Sequence, residues 1–263
     1  MGILDIDNLS AGYDNGFVIH GISLDVEPGE FVAILGRNGS GKSTLIKAVQ
    51  NLLGNARGRV VCDGEDVFKM GPRRLAAKIA YVPQLAEPVF EYTVEEVVLM
   101  GRFARQGRFE RASPADAAAV EEAMGITEVA DLRAKKLSRL SGGERQRVFI
   151  ARALAQDTPV LLLDEPSLHL DINYQVDVYG ILKDLQKNKG KTVVAAEHNI
   201  NLAAAFAERL VFLKEGVLAA GGTPEETVTS ANIREIFDAE VDIRKNLRTG
   251  LPEISLAGGE AGR

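Results

Sequence analysis

Residues 31–54 read FVAILGRNGSGKSTLIKAVQNLLG, and the order of features in that stretch decides the fold. Phe31 to Leu35 is a short apolar run ending in glycine, the pattern of a buried strand. Gly36, Arg37, Asn38, Gly39, Ser40, Gly41, Lys42 and Ser43 then fill every position of G-x-x-x-x-G-K-[ST], with Thr44 next. After them Leu45, Ile46, Val49, Leu52 and Leu53 recur at helical spacing, which predicts a helix closed by Gly54. Strand, glycine turn and helix together form a cradle for phosphate. The glycines let consecutive N–H groups point inward, and the helix adds its positive end. Lys42 is placed to reach β- and γ-phosphate oxygens, and the Ser43 hydroxyl to ligate Mg²⁺. An ordinary glycine turn is the competing reading, and the flanking strand and helix weigh against it.

Further apolar runs supply the rest of a parallel α/β sheet. VLLLDEP (residues 160–166) and KTVVAAEH (residues 191–198) are buried-strand candidates, GRVVCDGEDV reads as strand–turn–strand, and Pro83 ends a strand in KIAYVPQ. Asp164 at a strand end can hold a Mg²⁺ hydration shell, and Glu165 beside it can accept a proton from an attacking water. His198 ends another strand. A lone histidine is more often structural than catalytic, but its place beside LLLDEP brings it toward a γ-phosphate. Glu197 is expected in solvent, His169 is given a structural role with its turn pointing elsewhere, and His20 is given none.

Between Gln84 and Ser141 the character changes. TVEEVVLMGRF, SPADAAAVEEAMGI and EVADLRAKKL carry helical periodicity, with Ser113 and Pro114 as N-cap and first helical residue. The expected organisation is one domain over 1–255, with an α/β core at 1–86 and 158–255, a helical insertion at about 87–157, and a flexible tail at 256–263. RLVFLKEGVLAAGGTP predicts a hairpin turning at Glu215–Gly216, and SANIREIF a short capped helix. Within LSGGERQRV, Ser141, Gly142 and Gly143, followed by Glu144, open a helix and make a second anion site. Two such sites in one chain make sense if two copies share each nucleotide. An N-cap with a flexible turn accounts for Ser141 but gives no reason for two adjacent glycines.

Composition narrows the classes. With 263 residues, 46% hydrophobic and 26% charged, the chain is of ordinary globular make-up. A net charge of −6 leaves no bulk footprint for nucleic acid. The single cysteine, Cys62, reads as a small buried strand residue. The first residues lack the basic and apolar regions of an export signal, and no apolar run reaches membrane-spanning length. The expected location on composition is the cytosol, with any work at a membrane done through a partner.

GRNGSGKST, VPQ, LSGGERQR, LLLDEP, SLHLD and the histidine of AEHN stand in the order found in ABC-type ATPases, and the chain resembles the ATP-binding subunit of an ABC transporter from Tyr13 to about Ile243. The resemblance implies a RecA-like P-loop NTPase core with an antiparallel β subdomain and an inserted α-helical subdomain, ATP and Mg²⁺ as ligands, and ATP hydrolysis. It implies that Tyr13 stacks on adenine and that Gln84 senses Mg²⁺ and water. It also implies that Ser141 to Gly143 bind the γ-phosphate held by a second copy, that Asp171 communicates across the homodimer, and that His198 is the switch histidine. Tyr13 also reads as an ordinary turn residue. Two positions depart from the family pattern: Asn199 stands where aspartate is usual, and Ser167 where threonine is common. TVEEVVLMGRF, DEPSLHLDI and the GTPEETVTSANIREIFDAEVDI ending resemble the importer group for iron-siderophores, haem and vitamin B12. This implies polytopic membrane permease subunits docking near residues 84–111, a peripheral place on the cytoplasmic face of the membrane, and an external substrate-binding protein. Arg102, Arg105, Arg108 and Arg111 read equally as contacts to that partner or as a solvated face. The alternatives are an exporter subunit, another importer such as one for molybdate, or a non-transport cassette ATPase of DNA or ribosome function. Acidic charge and the lack of coiled-coil insertions or tandem cassettes disfavour the last.

Overall fold

The computed structural model describes residues 2–13, 16–84, 91–106 and 112–255. Its centre is a six-stranded sheet in the order β10-β9-β3-β8-β7-β6. The strands are β3 (Phe31–Leu35), β6 (Ile79–Val82), β7 (Val160–Asp164), β8 (Thr192–Ala196), β9 (Arg209–Lys214) and β10 (Val217–Gly222). β3, β7 and β8 are buried along their whole length, the condition of parallel strands covered on both faces. All neighbouring pairs are parallel except the β9–β10 hairpin. That hairpin turns at Glu215 and Gly216, as the sequence predicts.

A second, antiparallel sheet lies beside the first. It is ordered β2-β1-β4-β5, from β1 (Leu4–Tyr13), β2 (Gly16–Val26), β4 (Arg57–Cys62) and β5 (Glu65–Asp66). Its inner face joins one side of the central sheet in a single core that includes Leu4, Ile19, Val60 and Leu162. Cys62 is buried in β4, and burial pushes its thiol up to about 12.

The helices are α1 (Lys42–Val49), α2 (Pro72–Ala76), α3 (Val94–Met100), α4 (Pro114–Ile126), α5 (Gly142–Ala155), α6 (Ile172–Lys189), α7 (Ile200–Phe206), α8 (Pro224–Thr227) and α9 (Ser230–Phe237). α1 stops at Val49 rather than running to Leu53, because Asn51 takes a left-handed conformation at φ 54°. α3, α4 and α5 share a separate apolar cluster around Val98, Val120, Met124 and Val148. Ser113 caps α4 in a reciprocal box with Asp116, and Ser141 caps α5 in the same way with Glu144. EVADLRAKKL does not form the expected helix. It holds a short 3₁₀ turn at 130–132, entered through Glu128 at φ 55°, and ends where a second begins at 137–139.

Arg102 is neither a partner contact nor a solvated residue. It is 8% exposed, and its Nε donates to Asp116 Oδ1 at 2.8 Å while another nitrogen donates to the Ala155 carbonyl. The Arg102 guanidinium and the Ser113 hydrogen bonds hold Asp116 down at about 2. Arg105 donates to the carbonyls of Gln156 and Asp157. Arg108 and Arg111, together with the expected tail at 256–263, lie outside the described residues. A final hairpin, β11 (Asp242–Lys245) with β12 (Pro252–Ser255), rests on α7, where the Asn201 amide both donates to and accepts from the Ile254 backbone.

Candidate nucleotide site

Four strands of the central sheet end side by side, and each delivers one piece of a common cleft. From β3 the chain enters the glycine-rich loop at residues 36–41. Gly36 and Gly41 take φ +152° and +103°, and a Cβ at either would lie 2.3 Å from the Leu213 carbonyl or 2.6 Å from Ile19. Only glycine fits there. Gly39, at φ +81°, has nothing within 4 Å of where its Cβ would stand, so the loop faces open space. The Lys42 ammonium, 4% exposed, folds back onto the Gly36 and Arg37 carbonyls at 2.9 and 3.2 Å. Burial lowers its pKa, and the charges of Glu165, Asp164 and Glu197 oppose that shift.

β7 delivers the acids. Ser43 Oγ donates to Asp164 Oδ1 at 2.7 Å, which places a hydroxyl and a carboxylate beside the loop. Burial, reinforced by the Glu165 charge, raises Asp164 above the usual carboxylate range, and the Ser43 hydrogen bond works against it. Glu165 follows at φ 53°, a left-handed turn that a non-glycine residue holds only at a cost. That turn directs its carboxylate between two neighbours. His198 Nε2, from the end of β8, meets Oε1, and Gln84 Nε2, just beyond β6, donates to Oε2 at 3.2 Å.

These groups line a cleft of about 690 Å³ with Asn38, Gly39, Gly41, Lys42, Ser43 and Thr44. His169 lines it too, so its turn does not point elsewhere. The cause is local: His169 adopts φ 60° in the tight turn after Glu165. Glu197 is not solvated either. It is 2% exposed and accepts from Ser167 Oγ at 2.6 Å, a partner 30 residues earlier that strand periodicity does not reveal.

The remaining candidates stand apart from the cleft. Tyr13 is 47% exposed at the end of β1, with Lys47 Nζ of α1 5.9 Å from its ring centroid. Ser141, Gly142, Gly143 and Glu144 form the start of α5, and none of them lines the cleft. Asp171 lies at the N-cap of α6, beside Ile172, which is 75% exposed. The glycine pair now has separate explanations. A Cβ at Gly143 would meet the Tyr174 ring at 2.3 Å, whereas one at Gly142 would meet only Leu170 at 3.5 Å. Packing therefore requires the second glycine and leaves the first without a fold-based reason.

The donor set suits a hard cation bound jointly with phosphate. Among the described residues no three His, Cys, Asp or Glu side chains cluster to hold a metal alone. One hydroxyl and one carboxylate beside a phosphate cradle match the sparse protein ligation that Mg²⁺ accepts.

The chain is similar in sequence and fold to known proteins. The ABC transporter family profile matches residues 19–168. The chain is 39% identical over 252 residues to a cobalamin import ATP-binding protein of Halobacterium salinarum, covering 96% of this chain and 63% of that one. It thus spans less than two thirds of that relative's length. It is 37% identical over 248 residues to the ferric enterobactin transport ATP-binding protein of Escherichia coli, covering 94% and 92%. Among solved structures, one described as a metal-chelate type ABC transporter in an inward-facing conformation superposes with a TM-score of 0.84 at 27% identity, covering 97% of each chain. A dimeric ATP-binding cassette bound to ADP and phosphate superposes with a TM-score of 0.72 at 30% identity, covering 84% of this chain and 98% of that one.

Proposed function

We propose the following function for this chain, which belongs to the ABC transporter family: it hydrolyses ATP as the motor subunit of an importer for a metal chelate of the ferric-siderophore or cobalamin class. The observation that carries the reading is the convergence of the Lys42 loop, the Ser43–Asp164 pair and the Glu165–His198–Gln84 cluster at one end of a single sheet. The named relatives, a cobalamin and a ferric enterobactin transport protein, support the cargo class. Among the described residues no helix is long and apolar enough to cross a membrane. In this reading the cargo path belongs to separate membrane subunits. Docking against those subunits near residues 84–111 keeps the chain peripheral, at the cytoplasmic face, with an external binding protein supplying the cargo.

The loop N–H groups and Lys42 bind the ATP phosphates, and Tyr13 offers its exposed ring to adenine. Ser43 and Asp164 would hold Mg²⁺, which when bound would supply charge neutralisation to the phosphate oxygens. Glu165 takes a proton from water as the water oxygen bonds to the γ-phosphorus and the bond to the bridging oxygen breaks, leaving ADP and phosphate. His198 and Gln84 orient the Glu165 carboxylate and face the γ-phosphate. Ser141 and Gly142 lie outside the cleft of their own chain, which suits them to cap the ATP held by a second copy. Asp171 and the exposed Ile172 then fall at the junction between copies.

The deciding experiment reconstitutes the chain with its co-purifying membrane subunits in vesicles and follows chelate uptake. ATP-dependent accumulation is expected. Turnover of ATP with no membrane partner, and recovery with DNA or ribosomes instead, would remove the importer assignment.

A further inference from the structure

The site already described uses Asp164, Glu165, Gln84 and His198, and leaves the buried carboxylate next to His198, Glu197, unused. Glu197 sits between His198 and the end of β8, 2% exposed, and does not line the cleft. Ser167 Oγ donates to its Oε1 at 2.6 Å. The backbone N–H groups of His198 and Asn199 reach its Oε2 at 3.0 and 3.5 Å. Its own N–H donates to the Ile34 carbonyl at 2.8 Å, two residues before the glycine-rich loop begins. Behind it lies the fully buried Tyr179 of α6, whose hydroxyl is pushed up by burial and then by the Glu197 charge.

Two turns therefore meet at one side chain. Glu165 and Ser167 belong to the turn after β7, His198 and Asn199 to the turn after β8. Glu165 N–H also donates to the Ala196 carbonyl at 3.0 Å, so the turns are already tied at their bases. The Glu197–Ser167 bond adds a side-chain tie further along. Both positions at which the sequence departs from the family pattern, Ser167 and Asn199, touch this carboxylate.

We propose that Glu197 is a positioning residue for hydrolysis, which together with Ser167 locks the Glu165 turn and the His198 turn into one unit. Without it the two turns are held together only at their bases and by the His198–Glu165 contact, which leaves the base and the histidine more room to shift against each other. Misplacement of reacting groups by about 1 Å costs rate far more than it costs binding. Neither Glu197 nor Ser167 lines the cleft, so they act through Glu165 and His198. The proposal rests on the assignment of those two residues under the proposed function.

The test is steady-state ATPase activity of the full chain with Mg²⁺, for Glu197→Ala, Glu197→Gln, Ser167→Ala, the Glu197→Ala/Ser167→Ala pair and Glu165→Gln, with thermal melts alongside. Glu197→Ala is expected to lower kcat roughly tenfold with KM for ATP within about twofold. Ser167→Ala lowers kcat by a smaller factor, and the double variant falls no further than Glu197→Ala alone, because both remove one tie. Glu197→Gln recovers most of the rate, since its carbonyl still accepts from His198 N–H and its amide donates to Ser167 Oγ. A Ser167→Ala variant at the wild-type rate, or losses that multiply in the double variant, overturns the proposal. So does a Glu197→Gln variant as slow as Glu197→Ala. Ser167→Ala keeps the test decisive if Glu197→Ala does not fold. Glu165→Gln separates the two levels: if it turns over normally while Glu197 and Ser167 remain coupled, the assignment of the base falls and the tie stands.

Discussion

The Ser43 hydroxyl and the Asp164 carboxylate lie 2.7 Å apart although 121 residues separate them in the chain. The contact joins the first helical turn after the glycine-rich loop to the end of β7. It puts two hard oxygen groups together beside the glycine-rich loop.

Ser43→Ala and Asp164→Asn should therefore remove the Mg²⁺-dependent part of ATP affinity while leaving binding in EDTA near the wild-type value. Titration of a fluorescent ATP analogue with and without Mg²⁺ measures this. A variant whose affinity still rises with Mg²⁺ as in the wild type would take the cation away from this pair.

Glu165→Gln should bind ATP and turn it over roughly 10²–10⁴-fold more slowly, the range for loss of a general base. With hydrolysis blocked, ATP should hold two copies together long enough to appear as a dimer by light scattering. A strictly monomeric ATP-loaded variant, even with its membrane subunits, would reject the shared-nucleotide reading.

The two glycines opening α5 should separate by substitution. Gly143→Ala forces a methyl into the Tyr174 ring, and overpacking of this kind costs about 1–3 kcal/mol, visible as a lower Tm. Gly142→Ala meets only ordinary contact and should leave Tm unchanged. Its ATPase activity should fall nevertheless, if the bare backbone at Gly142 faces a phosphate of the second copy. A Gly142→Ala variant at full activity would count against that role.

Arg102→Met removes one partner of a buried ion pair and should destabilise the chain by roughly 3 kcal/mol near neutral pH. Asp116 has its pKa depressed from 3.8 to about 2 in the folded chain. Its contribution is therefore present above the ordinary value and fades as the pH falls from 3.8 toward about 2. The stability gap between wild type and Arg102→Met, measured by urea unfolding, should narrow across that acid window and stay flat above it.

The central sheet was legible in the sequence because FVAIL, VLLLD and TVVAA are continuous apolar runs, the pattern of strands buried on both faces. β1 escaped notice for the opposite reason. Its buried residues Leu4, Ile6, Leu9 and Ala11 break alternation where the pairing with β2 shifts register between Ile6 and Leu9. β11 is largely exposed and has no apolar pattern to read. Short motifs brought out the cleft residues, since phosphate binding imposes its own local spacing. Glu197, His169 and Arg102 were misjudged because their surroundings are set by distant neighbours or by a backbone turn, neither of which a window of sequence contains.

The order of the central sheet also constrains how the molecule can be made. β3, which carries the glycine-rich loop, pairs only with β8 and β9, whose partner residues come 162 and 177 positions later. A nascent chain emerging from the ribosome thus presents its loop long before either strand that pairs with β3 exists. Ribosomal products cut short before β8 would lack His198 and both neighbours of β3, and so could not assemble the cleft.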